Sequence, residues 1–138
     1  MSALAEALVA AQAELPCALG KDADGQIGQR SYRYLTLDKL IEATRPILSK
    51  HGLAISQNPI MVQNGEHVVP ALRTTLVHKD GEQTATDPMP LYLSEKTMQG
   101  LGAAITYARR YAWQSVLGIA AEEDTDGPAP DPDPDVPF

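Results

Sequence analysis

The chain is poor in cysteine and in long apolar runs, and each shortage excludes a class of protein. Cys17 is the only cysteine among 138 residues, so neither an intrachain disulfide nor a cysteine-rich zinc site can form. No apolar run approaches the roughly 20 residues that cross a bilayer, and the first residues lack the basic region of a signal peptide. We therefore expect a soluble, intracellular protein.

Patterns typical of several enzymes are also missing. A phosphate-binding loop would need glycine and then serine or threonine where the chain has Leu15 and Asp22. The three histidines lack metal-ligand spacing, and no G-x-S-x-G pattern occurs. The acids that begin at Glu122 depart from the calcium-loop pattern, because no glutamate closes the loop. We therefore expect no enzymatic activity, no cofactor and no metal.

An excess of positive charge is missing as well, because the net charge is −7. Seven of the 18 acidic residues lie between positions 122 and 138, where no Lys or Arg occurs, so 11 acidic residues balance 11 basic ones before that segment. A neutral body of this kind can still carry a basic groove. The length allows one core, so we predict a folded domain over residues 1–121 and an acidic disordered tail over residues 122–138.

Helical spacing of apolar residues predicts two helices near the start of the chain. One stripe predicts a helix over residues 2–15. Thr36 is placed to cap a second helix, which Gly52 would end in a left-handed turn and Pro46 would bend or break. Between the two helices, residues 20–31 are polar and show no period, so this segment is predicted to be an exposed loop.

Extended segments then predict an antiparallel meander of three strands. These strands cover residues 53–62, 67–78 and 82–87. Asn64-Gly65 indicates a type I′ turn between the first two, and Gly81 belongs to the second turn. Pro59 and Pro70 each remove a ladder donor, so both are expected at edges or bulges.

A long final helix is predicted from a cap at Ser94 to Leu117, with Gly118 ending it. Gly100 and Gly102 would let this helix lie close to a sheet or to a neighbouring subunit. The helical period predicts a core face made of Met98, Leu101, Ile105, Ala108, Ala112 and Val116. The predicted fold is α+β: a three-stranded antiparallel meander packed by a long C-terminal helix, with N-terminal helices.

Two adjacent arginines in this helix are the first candidates for binding nucleic acid. Arg109 and Arg110 point about 100° apart, which favours Arg110 as a phosphate contact and Arg109 as a half-buried ion-pair partner. Tyr107 and Tyr111 are placed to stack on bases, whereas Trp113 is more typical of a core residue. The alternative is that both arginines only pair with carboxylates near the end of the helix.

A second group of candidates interleaves cations with aromatic rings directly after the polar loop. The group consists of Arg30, Tyr32, Arg33 and Tyr34. It suits a single strand, because the backbone attracts positive charge and the bases stack on flat rings. Lys21 and Lys96 complete the basic candidates. The alternative is that Tyr32 or Tyr34 packs against the start of the second helix.

The stretch from Gly102 to Gly127 resembles the ERF (essential recombination function) family of phage single-strand annealing proteins. The similarity rests on A-I-T-Y-A-R-R-Y, on the following L-G-I and on the acids before Gly127. Further similarities are Ala11-Gln12, Tyr34-Leu35, R-P-I-L-S-K-H-G-L-A from Arg45 and T-T-L-V-H before a glycine turn. The resemblance covers most of residues 3–127.

This resemblance implies an ATP-independent protein of the bacterial cytoplasm that binds single-stranded DNA and pairs complementary strands. It also implies assembly into rings or filaments and a β-β-β-α core. The site residues that it implies here are Tyr107, Arg109, Arg110 and Tyr111. Two other functions stay open: a protein that protects single strands without annealing them, and an oligomeric scaffold with no DNA role. An oligonucleotide-binding barrel would need about five strands, and three are predicted.

The last residues resemble the acidic tip of bacterial single-strand-binding protein, which ends in aspartates, an aliphatic residue, Pro and Phe. The residues that carry this resemblance are Asp131, Asp133, Asp135, Val136, Pro137 and Phe138. The resemblance implies that the tail recruits the host partners of that protein, with competition for the DNA groove as a secondary role. The alternative is an inert solubilising tail.

Overall fold

The computed structural model describes residues 2–27 and 29–122, without the side chains of Ile27, Arg30 and Tyr32. The described part contains three helices, α1 (Ala3–Glu14), α2 (Leu37–Lys50) and α3 (Met98–Leu117). Its strands are β1 (Ala18–Leu19), β2 (Ala23–Ile27), β3 (Arg30–Tyr34), β4 (Leu53–Asn64), β5 (His67–His78), β6 (Gln83–Ala85), β7 (Met89–Pro90) and β8 (Ala120–Ala121). The α+β class is confirmed. Of the predicted tail over residues 122–138, residues 123–138, with the six tip residues, lie outside the described part.

The helices begin and end at residues with capping chemistry. Thr36 caps α2 by accepting a hydrogen bond from the N–H of Lys39, and Gly118 ends α3 with a φ of 70°. The predicted start of α3 at Ser94 is wrong, because the cap is Thr97, whose hydroxyl accepts from the N–H of Gly100 at 2.9 Å. The predicted break at Pro46 does not occur. Pro46 is exposed, so water can satisfy the carbonyl that loses its helical donor.

The largest sheet is built on the hairpin of β4 and β5, whose twelve-residue strands pair along their whole length. β6 then pairs with β5, so the three predicted strands lie in chain order and are antiparallel. β7, which was not predicted, also pairs with β5. Pro59 lies on the outer strand β4 as expected, but Pro70 lies on the central strand β5, where β7 pairs only with Ala71 and Leu72.

The turn between β4 and β5 is not the predicted type I′ turn. Asn64 pairs with His67, so the two loop residues are Gly65 and Glu66. Type I′ requires a positive φ at both loop residues, and only Gly65 has one, at 63°. Glycine carries the left-handed conformation here because it has no Cβ, whereas Glu66 keeps a negative φ.

The predicted loop over residues 20–31 is wrong, because most of it forms a hairpin. β2 and β3 pair as antiparallel strands from Ala23–Tyr34 to Ile27–Arg30. Their polar residues hide the strand period, since a hairpin that is largely exposed needs no alternation of apolar residues. The hairpin is tied to α2 by Asp22, whose carboxylate accepts from the N–H and the hydroxyl of Thr36 at 2.8 and 2.7 Å.

The core consists of two neighbouring clusters. The larger one joins α1, α2 and the C-terminal part of α3 through residues such as Leu40, Leu48 and Leu117. The smaller one lies between α3 and β5, where Leu72 packs against Ala108 and Ala112. Among the described residues, no helix is long and apolar enough to span a membrane.

The predicted core face of α3 is correct in part. Ala108 and Ala112 are buried, and Leu101, Ile105 and Val116 are partly buried. Met98 is 82% exposed, because the first turn of α3 has no element packed over that side chain. The face also omits Trp113 and Leu117, which are buried because α1 and α2 cover a second side of the helix.

The two glycines of α3 differ in what surrounds them. A Cβ at Gly100 would overlap the backbone oxygen of Glu95, so the close contact is with the preceding loop. Gly102 is exposed, and nothing lies within 4 Å of the position of its missing Cβ. The expectation of a close approach is therefore met at Gly100 alone, and the surface that Gly100 touches is neither a sheet nor another subunit.

Candidate nucleic-acid interface

Arg110 lies at the middle of α3 beneath three tyrosine rings. Its guanidinium carbon is 4.6 Å from the ring centre of Tyr107, 5.0 Å from that of Tyr34 and 5.4 Å from that of Tyr111. All three distances fall within the range of a cation–π interaction. The side chain is buried, at 9% exposure, so the predicted direct phosphate contact of Arg110 would use only the small part that the rings leave open.

The rings of Tyr107 and Tyr111 form the outer layer of this arrangement. They are one helical turn apart, with ring centres separated by 5.1 Å and planes inclined by 53°. Tyr107 is 43% exposed and Tyr111 is 44% exposed, although both are large aromatic residues. Each of these rings is partly open to solvent beside a buried cation, which suits it to contact with another flat group.

Arg109 is attached to the sheet through Gln57. Its Nε donates to the side-chain oxygen of Gln57 at 3.3 Å, and the amide nitrogen of Gln57 donates to the carbonyl of Arg109 at 3.0 Å and to Thr74 at 3.2 Å. The predicted ion pair of Arg109 is wrong within the described part of the chain, where no carboxylate lies within 4.0 Å of Arg109 or Arg110. An amide takes the place that was expected for a carboxylate, so the charge of Arg109 is not neutralised by contact.

Both arginines line one cavity of about 410 Å³, although their side chains leave the helix in different directions. The first turn of α2 forms the opposite side, through Thr36, Leu37 and Asp38. The other lining residues are Tyr34, Ile41 and Thr106. The long side chains therefore bring together two charges that the helical angle alone had separated.

The β2–β3 hairpin contributes Tyr34 to the site and places other candidates nearby. Arg33 donates to the backbone oxygen of Lys21 at 3.0 Å and lies 3.7 Å from the carboxylate of Asp24, with both side chains exposed. The hydrogen bonds from Thr36 hold the pKa of Asp22 below its usual range, so the carboxylate that fixes the hairpin is ionised at neutral pH.

One predicted site residue, Lys96, is not brought into this arrangement. Arg30 and Tyr32 lie on β3, and their side chains are outside the described part of the structure. Lys96 is exposed in the loop before α3, and the first residue of that helix, Met98, is already about 14 Å along the axis from Tyr107. The structure therefore groups Tyr107, Arg109, Arg110 and Tyr111, with the hairpin beside them.

Trp113 belongs to the core, which confirms the expectation for this residue. It is 2% exposed, and its indole N–H donates to the hydroxyl of Thr44 at 2.9 Å. Thr44 in turn donates to the carbonyl of Leu40, so the buried polar atoms are paired.

Two residues of the site were missed in the set predicted from the sequence. Tyr34 was considered only as one ring of the interleaved segment, and its position against Arg110 depends on the unpredicted hairpin. Gln57 carried a usable signal, because strand alternation places it on the same face as Leu53 and Ile55. A polar residue at such an inward position needs a hydrogen-bond partner, which here is Arg109.

Metal and thiol chemistry receive no support from the described residues. No group of three or more His, Cys, Asp or Glu side chains is placed to hold a metal ion among them. Cys17 is a free, exposed cysteine.

Comparison with models of known protein families assigns the chain to a family. The model of the ERF superfamily matches residues 4–134, which include every described element from β1 to β8 and nearly all of α1. The chain belongs to the ERF superfamily. ERF membership supports, in general terms, DNA binding and a role in recombination and strand annealing. No match was found among the curated proteins or among the solved structures.

Proposed function

We propose that this ERF protein is an ATP-independent phage recombination protein that binds single-stranded DNA and pairs complementary strands. The observation that carries the proposal is the pair of half-exposed rings of Tyr107 and Tyr111 above the buried guanidinium of Arg110. Base stacking on such rings contributes about 1 to 3 kcal/mol per base and accepts any sequence, since every base has a flat face. A stacking surface on a cationic support suits a protein that must hold many different strands.

The electrostatics of the site favour reversible binding. Arg109 and Arg110 supply positive charge to one cavity, while acidic Asp38 lies on its opposite side. The first 121 residues are neutral overall, so attraction to the DNA backbone comes from a few local charges. A strand that is held by few charges can be released, which annealing requires once two strands have paired.

The proposed activity requires no catalytic group. Pairing two strands makes and breaks no covalent bond, so we propose no enzymatic step, no cofactor and no metal. Tyr107, Tyr111 and Arg109 would contact the strand. Arg110 would hold the rings in position from beneath, and the part of it that lines the cavity would attract phosphate.

We further propose an oligomer, as a ring or filament, acting in the cytoplasm of a bacterial host. The support is the ERF relationship, together with the β4–β5–β6 strands that precede the long helix α3 as in a β-β-β-α core. The tip from Asp131 to Phe138 is proposed to bind the host partners of single-strand-binding protein. Its support is the sequence resemblance of that segment.

An annealing assay with two complementary labelled oligonucleotides, run at several salt concentrations, tests the function. The wild-type chain is expected to anneal faster than the spontaneous rate. Tyr107→Ala and Tyr111→Ala are each expected to weaken binding of single-stranded DNA by about 1 to 3 kcal/mol. Arg109→Gln should lower the salt slope of binding by roughly 0.7 for one lost phosphate contact.

Arg73→Gln is the matched control for Arg109→Gln. Arg73 is exposed on β5 and pairs across the ladder with Asn58, on the face of the sheet opposite to Gln57 and Thr74. The substitution Arg73→Gln removes the same charge at a position away from the site, so the salt slope of DNA binding should stay unchanged. Binding without annealing would support a protective single-strand-binding protein instead, and absence of binding would support a scaffold with no DNA role.

A further inference from the structure

The cavity between α3 and the first turn of α2 is larger than a phosphate group requires. It is an open cleft, and its volume of about 410 Å³ lies in the range of pockets that bind small organic ligands, roughly 300 to 1,000 Å³. Arg110 lies both in the wall of this cavity and beneath the ring of Tyr107, so the cavity adjoins the proposed stacking surface. A ligand in it would therefore be close to a strand stacked on that surface.

The lining divides into parts with different chemistry. Arg109 and Arg110 are two cations with no carboxylate within 4.0 Å in the described part of the chain. Leu37 and Ile41 provide apolar surface, and both are only partly buried. Asp38 also belongs to the lining, and its carboxylate, an acceptor of hydrogen bonds by its chemistry, is not paired with either arginine. The cavity therefore offers three kinds of contact through separate residues: cations for an anion, apolar surface for a flat ring, and a carboxylate for hydrogen-bond donors.

A bare phosphate does not account for this set of residues. The carboxylate of Asp38 would repel it, and the apolar wall would contact nothing. A nucleotide accounts for all three parts, because it combines an anion, a flat base and, in guanine, adenine and cytosine, an amino group that donates hydrogen bonds. Thymine has no amino group on its pairing edge.

We propose that this cavity holds one nucleotide of the bound strand, with its phosphate on Arg109 and Arg110 and the donor edge of its base on Asp38. The inference rests on the proposed function, since the nucleotide belongs to the strand that the protein binds. Guanine is the preferred base, because its ring N–H and amino group can both donate to the two oxygens of one carboxylate. Asp38 would then give a sequence preference at one position of an otherwise tolerant site.

The test compares oligothymidine of about 15 nucleotides with versions that carry one guanine at the centre, at the 5′ end or at the 3′ end. Binding to the full chain is measured by fluorescence anisotropy. One guanine is expected to tighten binding about fivefold, at the low end of the range for a bidentate contact to a base edge. The position that gives the larger effect distinguishes an internal nucleotide from a terminal one.

Asp38→Asn tests the base contact, since an amide keeps only one acceptor. The guanine advantage, taken as the ratio of the affinities of this variant for the guanine and the all-thymine oligonucleotides, should fall to less than twofold. Glu42→Gln is the matched control, because Glu42 lies one turn further along α2 and outside the lining of this cavity. Glu42→Gln should keep the guanine advantage. Arg109→Gln should weaken the binding of every oligonucleotide.

Two results would overturn the inference and leave strand binding intact. One is equal affinity of the wild-type chain for the guanine and thymine oligonucleotides, and the other is a guanine preference that survives Asp38→Asn. If no oligonucleotide bound at all, the proposed function would fail instead. In that case, NMR titration with deoxyguanosine monophosphate and thymidine monophosphate decides separately: preferential binding of the first supports the cavity as a nucleotide site, and no preference overturns it.

Discussion

Helix α3 has an inner side and an outer side that use the same kinds of residue differently. On the inner side, Trp113 is 2% exposed and its N–H is bonded to Thr44 in the larger core cluster. On the outer side, Tyr107 and Tyr111 remain open to solvent above Arg110. The difference lies in what is beneath each ring: apolar side chains with one polar partner in the first case, a cation in the second. The inner side should therefore determine stability and the outer side binding.

Truncation of the tryptophan should have the largest effect on stability. Trp113→Ala removes a buried ring and leaves a cavity, so we expect a loss of about 3 to 5 kcal/mol in the free energy of unfolding. Urea unfolding followed by circular dichroism measures it, with Tyr107→Ala as the control from the outer side. Equal losses in the free energy of unfolding from the two substitutions would contradict the division of α3 into a stabilising inner side and a binding outer side.

The two glycines test the same contrast at the beginning of α3. Gly100→Ala should destabilise the fold by roughly 1 to 3 kcal/mol, because its Cβ would overlap the backbone of Glu95. Gly102→Ala should stabilise it by up to about 1 kcal/mol, since alanine favours helix and the position is open. Thermal melts of both variants give the sign of each change in stability. If both substitutions destabilised the fold, or both stabilised it, the predicted difference between the two glycines would be wrong.

Removal of the α2 cap should have a smaller effect. Thr36→Ala loses the hydroxyl that accepts from Lys39 and donates to Asp22, and we expect a cost of about 1 kcal/mol. Thr36→Ser keeps the hydroxyl and is the control. If the cap also supports the outer side, Thr36→Ala should weaken binding of single-stranded DNA more than Thr36→Ser does.

The smallest expected effect is a pH dependence of the hairpin that carries Tyr34. The pKa of Asp22 is lowered by its bonds to Thr36, so this contact stabilises the folded state above the usual pKa of an aspartate. The contribution is lost as the pH falls through the lowered pKa, that is, below about 4. The amide resonance of Thr36 should shift over that interval in wild type, and an Asp22→Asn variant should show no such shift.

Much of the fold follows from local sequence signals, and the failures have identifiable physical causes. The spacing of apolar residues, the cap at Thr36 and the glycine at position 118 predicted the helices, and the extended segments on either side of Asn64-Gly65 predicted the β4–β5 hairpin. The β2–β3 hairpin was missed because polar strands carry no hydrophobic period. Pairing of β1 with β8 joins residues about 100 positions apart, which no local pattern reports.

The site was predictable in its residue types and not in its arrangement. The tyrosines and arginines of α3 stood out in the sequence, but a helical wheel places side chains by direction alone. Arg110 is covered because Tyr34 arrives from the hairpin, and Arg109 is held by Gln57 from the sheet. Both facts depend on neighbouring elements, so they required the three-dimensional structure.

The short parallel pairing of β1 with β8 has a practical consequence for cutting the chain. Ala120 donates to the carbonyl of Cys17 and Glu122 donates to that of Leu19, so residues 120–122 are part of the folded body. A deletion intended to remove only the acidic tail should therefore start at position 123. A deletion starting at Gly118 would also remove the cap of α3 and expose the segment that follows α1, and its phenotype would report misfolding rather than loss of the tail.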